Sequence, residues 1–173
     1  MIKKSVLKSG LKSEKQDKIL EVFYENPHKK FTIRELEKLT KLPKTTIAEY
    51  LKQIKRRKLL DQDSLLFKIK KTNYFVEKLI SIGLIDFLIE KLNPSCIILF
   101  GSIRKGESNK ESDADLFIET YSKNKVDLSK FEKKFKHKIS IFNETKITKL
   151  PNELFNNVVN GIKIYGSFKI KWI

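Results

Sequence analysis

The stretch from Ile97 to Leu116 constrains this chain more than any other. Four apolar residues, Ile97-Ile98-Leu99-Phe100, run into Gly101-Ser102, and twelve positions after Gly101 comes Asp113-Ala114-Asp115-Leu116. An apolar run of strand length ending in Gly-Ser reads as a buried strand entering a tight turn, with Ser102 opening a helix. Backbone amides at such a turn, with the Ser102 hydroxyl, suit a triphosphate. Asp113 and Asp115 stand two apart on the next strand, so both carboxylates leave the same face. Like charges held that close repel, and a cation between them removes the cost. Mg²⁺ takes hard oxygen ligands and bridges carboxylates to phosphates, which points to metal-assisted transfer at phosphorus. Asp-x-Asp alone is a common surface pattern; its weight here comes from the strand, the turn and the spacing.

Charge points to a second activity. The net charge is +16 over 173 residues, and the excess is uneven. Residues 1–71 hold 20 Lys+Arg against 9 Asp+Glu, a net of +11, whereas residues 72–173 hold 17 against 12, a net of +5. A basic half joined to a nearly balanced half implies a polyanionic partner for the first. No apolar run reaches the roughly 18 residues of a membrane span, and the N-terminus lacks the apolar region of a signal peptide. Cys96, the single cysteine, reads as a small core residue. A cytoplasmic protein without a membrane partner is expected.

Along the chain, residues 1–12 read as a loose basic arm. Ser13 opens an amphipathic helix ended by Asn26-Pro27, residues 30–32 read as a short strand, and Thr32 with Glu35 forms a capping-box pattern before a helix over 33–40. Leu42-Pro43 breaks that helix, and a third follows from Lys44 to about Lys58, with Ile47, Leu51 and Ile54 at helical spacing. Leu59-Leu60, the turn residues 61–64 and the alternating Leu65, Phe67, Ile69 read as a β-hairpin. Three helices and a hairpin make a winged helix-turn-helix over residues 1–72. In that arrangement the third helix enters the major groove of duplex DNA by its leading end. Lys44, Thr45, Thr46, Glu49 and Lys52 are its outward residues, and Lys68 and Lys70 lie on the wing. The remainder, 73–173, starts with a linking helix over 74–92 and continues as a small α/β domain, so the whole is α+β. A C-terminal strand is expected to carry Phe168 and Trp172 as packing residues. His28 and His137 stand alone, and nothing near them suggests zinc.

Residues 96–118 resemble the minimal nucleotidyltransferases of the DNA polymerase β superfamily. Their pattern is an apolar strand, Gly-Ser, a basic residue before glycine, then Ser-Asp-x-Asp-Leu, and Gly101, Ser102, Lys105, Gly106, Ser112, Asp113, Asp115 and Leu116 fall on it. The order of the two halves also resembles prokaryotic, especially archaeal, proteins in which a winged helix precedes this domain. The resemblance implies a mixed sheet with flanking helices and a nucleoside triphosphate substrate. It implies Mg²⁺ on Asp113 and Asp115, which also serve as the catalytic pair, with Gly101, Ser102, Lys105 and Ser112 binding the nucleotide.

One position departs from that pattern. Active members carry a third carboxylate on the following strand, and here that strand reads Lys138-Ile139-Ser140-Ile141-Phe142, with Ser140 in the inward position. Glu144, just past the strand, is the nearest substitute. Two classes of function stay open: transfer of a nucleoside monophosphate to a hydroxyl on a protein or small molecule, and a transcriptional regulator or antitoxin-like protein whose degenerate domain senses a nucleotide or holds a homodimer. The second class would pair with a toxin-like protein.

Overall fold

The computed structural model describes residues 14–170. The basic arm, Ser13 and Trp172 lie outside them. The chain forms two compact units, Met1–Gln62 and Asp63–Ile173.

The first unit contains α1 (Glu14–Glu25), α2 (Ile33–Thr40) and α3 (Lys44–Arg56). Ile19, Leu20, Tyr24, Leu36, Ile47 and Ile54 are buried on these helices, as is Leu42 between α2 and α3, whereas Leu39 is exposed. At the start of α2, the Thr32 side chain accepts from the Glu35 N–H, and Glu35 accepts from the Thr32 N–H at 2.8 Å. These bonds, with Lys29 nearby, hold the Glu35 carboxyl down at about 2. Residues 30–32, expected as a short strand, are irregular and lead into this cap.

The β-hairpin expected over residues 59–70 is not there. Residues from Leu65 onward form α4 (Leu65–Ser81), capped by the Ser64 hydroxyl, which accepts from the Phe67 N–H at 3.1 Å. The alternation of Leu65, Phe67 and Ile69 spans too few residues to distinguish a strand from one side of a helix. The longer series Phe67, Lys71, Phe75, Leu79 recurs every fourth residue and is buried throughout, while Leu65, Leu66 and Ile69 are exposed. Lys68 and Lys70, expected on a wing, therefore belong to a helix of the second unit. The boundary between units falls ten residues earlier than the sequence suggests, because that buried series packs into the second unit. The expected linking helix over 74–92 is likewise divided, into the second half of α4 and α5 (Leu84–Leu92), with Gly83 between them.

Beyond α5 come β1 (Cys96–Phe100), α6 (Gly101–Lys105), β2 (Ala114–Glu119), α7 (Ser129–Phe135), β3 (Ile139–Glu144), a 3-10 turn (Ile147–Lys149), α8 (Asn152–Val159) and β4 (Ile162–Gly166). The sheet order is β3-β2-β1-β4, with β2 and β3 parallel and the other pairs antiparallel. One face packs on α4, α5 and α7 through Ile97, Leu99, Leu116 and Ile118 against Phe75, Leu88, Phe131 and Phe135. The other face carries Cys96, Ile98, Phe100 and Phe117, covered in part by Ile147 and Val158. Burial pushes the Cys96 thiol up to about 11, in keeping with a core residue. Residues 168–170 form no strand. No described helix is long and apolar enough to cross a membrane.

If Ser64 caps a helix, Ser64→Ala will lower the stability of the second unit by about 1 kcal/mol, the usual cost of losing an N-cap side chain. Urea denaturation followed by circular dichroism measures it. An unchanged midpoint would mean that the Ser64 hydroxyl contributes nothing to α4.

Candidate active site

The site is built where β1, β2 and β3 lie side by side. Phe100, the last residue of β1, is opposite Asp115 on β2, and Asp115 is opposite Ser140 on β3. All three positions share the face that the large helices leave open. At Gly101 the chain turns from strand into α6 with φ of +72°, and a Cβ there would lie 2.0 Å from Asp115 Oδ2. Only a residue without a side chain lets the carboxylate rest against the turn. Asp113, two residues earlier on the same face, accepts from the Ser140 hydroxyl at 3.2 Å.

Electrostatics follow from this crowding. The Asp115 carboxyl is pushed above the ordinary aspartate range, first by burial and then by the charge of Asp113. Both causes penalise the ionised form, so the pair is set up to gain from a neighbouring cation. Among the described residues there is no cluster of three or more His, Cys, Asp or Glu side chains placed to hold a metal ion. Ser140 fills the position opposite Asp115. Glu144 lies four residues further along β3, about 13 Å away at strand rise. It is paired in register with Glu119, and its Oε1 accepts from the Thr145 N–H. Glu144 is therefore not a substitute third ligand.

The segment between α6 and β2 is braced from behind by α4. The Thr72 hydroxyl donates to the carbonyls of Ile103 and Arg104 at 3.0 and 3.2 Å. The buried Lys71 ammonium donates to the Ser108 carbonyl, and Lys68 pairs with Glu107 at 3.1 Å. Gly106, at φ +71°, has no room for a side chain, because a Cβ would lie 2.6 Å from the Lys68 carbonyl oxygen. The sequence hides these roles of Lys71 and Thr72 while residues 65–70 read as a strand; the four-residue period through Leu79 is the signal that exposes them.

A sequence model of the nucleotidyltransferase domain family matches residues 81–169, about half of the chain. The chain belongs to that family. No curated protein and no solved structure matches. The nucleotidyltransferase domain spans α5 to the end of β4, so the Gly101 turn and both aspartates fall inside it.

Within the nucleotidyltransferase domain the expected residues separate into two groups. Gly101, Ser102, Asp113 and Asp115 come together at the strand ends. Lys105 ends α6 and is exposed. The Ser112 hydroxyl is spent on its own turn, accepting from the Asn109 N–H at 2.9 Å and facing Asn109 Oδ1 at 3.2 Å. Its carbonyl meets His137 Nδ1 at 2.9 Å, a contact the sequence did not suggest.

A raised folded-state pKa means that the folded protein prefers Asp115 protonated. Ionisation therefore costs stability, and the cost grows as pH rises from the ordinary aspartate value of about 3.9 through the raised one. Asp115→Asn is expected to melt higher than the parent at pH 7 without divalent cations. The difference should shrink as pH falls below that window. Thermal melts at several pH values measure this, and a variant melting lower at pH 7 would contradict the stored repulsion.

Proposed function

We propose that the second unit binds a nucleoside triphosphate together with Mg²⁺ and transfers a nucleoside monophosphate to a hydroxyl acceptor, slowly. The observation that carries this is the contact of the Asp115 carboxylate with the Gly101 turn, beside Asp113 on the same strand face. A donor set of two carboxylates fits Mg²⁺ shared with phosphate oxygens better than it fits a cage made wholly by protein. Asp113 and Asp115 would hold the ion, which would supply charge neutralisation at the phosphates. Gly101 and Ser102 would flank the triphosphate, with Lys105 contributing charge. In the reaction the acceptor oxygen bonds to the α-phosphorus, the bond to the bridging oxygen breaks, and pyrophosphate leaves. The hydroxyl proton passes to solvent, because Ser140 stands where a carboxylate base would accept it and a serine hydroxyl is a poor base. That substitution also supports the second reading, a nucleotide-sensing regulator or antitoxin-like protein, and turnover decides between them.

Calorimetric titration with each nucleoside triphosphate and Mg²⁺ should show binding that Asp113→Asn and Asp115→Asn abolish. Pyrophosphate release should be slow in the parent and rise in Ser140→Asp, since well-placed acid–base assistance is worth on the order of 10²–10⁴-fold. Equal triphosphate affinity in the parent and both Asn variants would overturn the metal-site reading. Fast parental turnover that Ser140→Ala leaves intact would overturn the reading of slow transfer.

For the first unit, we propose contact with duplex DNA through α3. Residues 1–62 hold 17 Lys+Arg against 8 Asp+Glu, a net of +9. Lys44, Thr45, Glu49 and Lys52 are exposed on α3, with Thr46 half-buried, and no side chain caps the first-turn amides of this helix. Such amides are free to meet phosphate. Lys44 is lightly held by Glu37 at 3.6 Å, a pair that DNA would replace. Lys68 and Lys70 have no part in this proposal. Lys44→Ala with Lys52→Ala should weaken duplex binding and flatten the slope of log affinity against log salt by about 1.8, at about 0.9 per lost phosphate contact. Fluorescence polarisation across a salt series measures it, and an unchanged slope would remove α3 from the interface.

A further inference from the structure

β3 is an edge strand, paired on one side only, with β2. The Lys138 carbonyl accepts from the Ala114 N–H, and the Glu144 carbonyl from the Thr120 N–H, each at 2.9 Å. Alternate residues of a strand turn their backbone groups to the same side. Ser140 and Phe142 therefore also face β2, whereas Ile139, Ile141 and Asn143 face outward. Two N–H groups along this edge are already taken: that of Ile139 donates to Glu132 Oε1 at 3.0 Å, and that of Thr145 to Glu144 Oε1 at 2.6 Å. Between them, the outward N–H and carbonyl groups of Ile141 and Asn143 meet no described residue. A groove of about 560 Å³ separates these two residues from the loop after β2, so that loop leaves the edge open.

Proteins blunt open edges with lysine, proline or bulges. The opposite edge strand, β4, holds Lys163 and meets β1 across an irregular register. β3 reads Ile-Ser-Ile-Phe-Asn-Glu and has no such device. Its side chains on the carboxylate face are Ser140, Phe142 and Glu144, which stand level with Asp115, Phe117 and Glu119. Phe142 is 39% exposed on that face and packs edge-on against Phe100 at 5.4 Å.

The free groups select their own complement. An antiparallel copy of β3 that sets Ile141 against Asn143, and Asn143 against Ile141, satisfies all of them and disturbs neither occupied N–H. A shift to either side would need the N–H of Ile139 or of Thr145, each held by a carboxylate. In this register Phe142 lies on the two-fold axis and faces its own copy, a close pair that covers the exposed ring. Glu144 of each copy lies directly opposite Ser140 of the other, with Cβ atoms about 5 Å apart. Asp115 flanks Ser140 on its other side. Two strand spacings, about 9.6 Å, then separate Asp115 from Glu144 of the second copy, which leaves room for a hydroxyl between the two carboxylates. Glu144 Oε2 accepts no hydrogen bond from a described residue, so it is available to that hydroxyl.

We propose that β3 pairs with β3 of a second copy about an axis at Phe142, and that Glu144 of each copy serves as the base missing beside Ser140 of the other; the role of Glu144 rests on the nucleotidyl-transfer reading above. In the pair, that carboxylate rather than solvent takes the hydroxyl proton as the acceptor oxygen bonds to the α-phosphorus and pyrophosphate leaves. Slow transfer is then the property of a lone copy. Sedimentation of the full chain across a range of concentrations should show a monomer–dimer equilibrium, because one paired strand makes a small interface. Asn143→Pro removes an outward N–H without touching the bonds to β2 and should give a monomer that circular dichroism shows folded. Phe142→Lys, which sets like charges on the axis, should do the same. Phe142→Cys should cross-link to its own copy on mild oxidation, since facing Cα atoms about 4.5 Å apart fall within disulfide reach and Cys96 is buried. By calorimetry, Mg²⁺-dependent triphosphate binding should survive in Asn143→Pro and in Glu144→Gln, while pyrophosphate release falls on the order of 10²-fold in both, the lower end of acid–base assistance. Asp113→Asn mixed with Glu144→Gln should turn over faster than either alone, because each mixed pair holds one complete site. A chain that stays monomeric at every concentration, or a dimer that Asn143→Pro and Phe142→Lys both leave intact, would overturn the pairing. A dimer whose mixed variants gain nothing, with triphosphate binding intact, would overturn the role of Glu144 alone. Absence of Mg²⁺-dependent triphosphate binding in the parent would overturn the nucleotidyl-transfer reading, and the role of Glu144 with it, whatever sedimentation shows.

Discussion

Two carboxylates on one strand face, one of them pressed against a strand-to-helix turn, set the terms for the second unit. Asp115 keeps its place only because Gly101 has no side chain, and its neighbour Asp113 adds like charge to a partly buried setting. An arrangement of this kind does not arise from packing alone, since burial and repulsion both act against it. It persists because the rest of the unit over-determines it. Two apolar layers hold the strands on either side, and the strand register places Phe100, Asp115 and Ser140 side by side.

The brace behind the turn shows how that determination works. α4 presses its own backbone at Lys68 against Gly106, and the Thr72 hydroxyl donates to the Arg104 carbonyl and to the Ile103 carbonyl, which also accepts from the Gly106 N–H that caps α6. Lys71 places a buried ammonium on the Ser108 carbonyl, and burial of that group is favourable only where acceptors meet it. The helix is therefore part of the unit whose turn it supports, and belongs to it rather than to a linker.

Much of the site was legible because its constraints are local. A strand-length apolar run, a Gly-Ser turn and two aspartates two residues apart specify a strand, a turn and a shared face without any distant contact. The capping box at Thr32 and Glu35 and the helical spacing of Ile47 and Ile54 were legible for the same reason. Residues 65–69 suggest a hairpin because five alternating residues satisfy a strand and one side of a helix equally well, and the deciding signal, burial every fourth residue to Leu79, lies further along. The Ser112 hydroxyl closes the turn with Asn109, a pairing that the spacing of the Ser-Asp-x-Asp-Leu pattern does not reveal.

By itself, the sequence determined the character of each segment: an apolar strand between turns, paired acids on one face, a serine at the inward position of the next strand, and an excess of positive charge in the first half. Those properties depend on neighbours within a few positions along the chain. Tertiary structure alone decided that β3 runs parallel beside β2, bringing Ser140 to Asp115 and Asp113 and carrying Glu144 away. It alone decided that α4 supports the Gly101 turn and that lysines from α7 and from the loop before β2 border one cleft. Such pairings join residues some 25 to 40 positions apart, and the free energy that selects among them comes from burying whole faces at once, which no short stretch of sequence records.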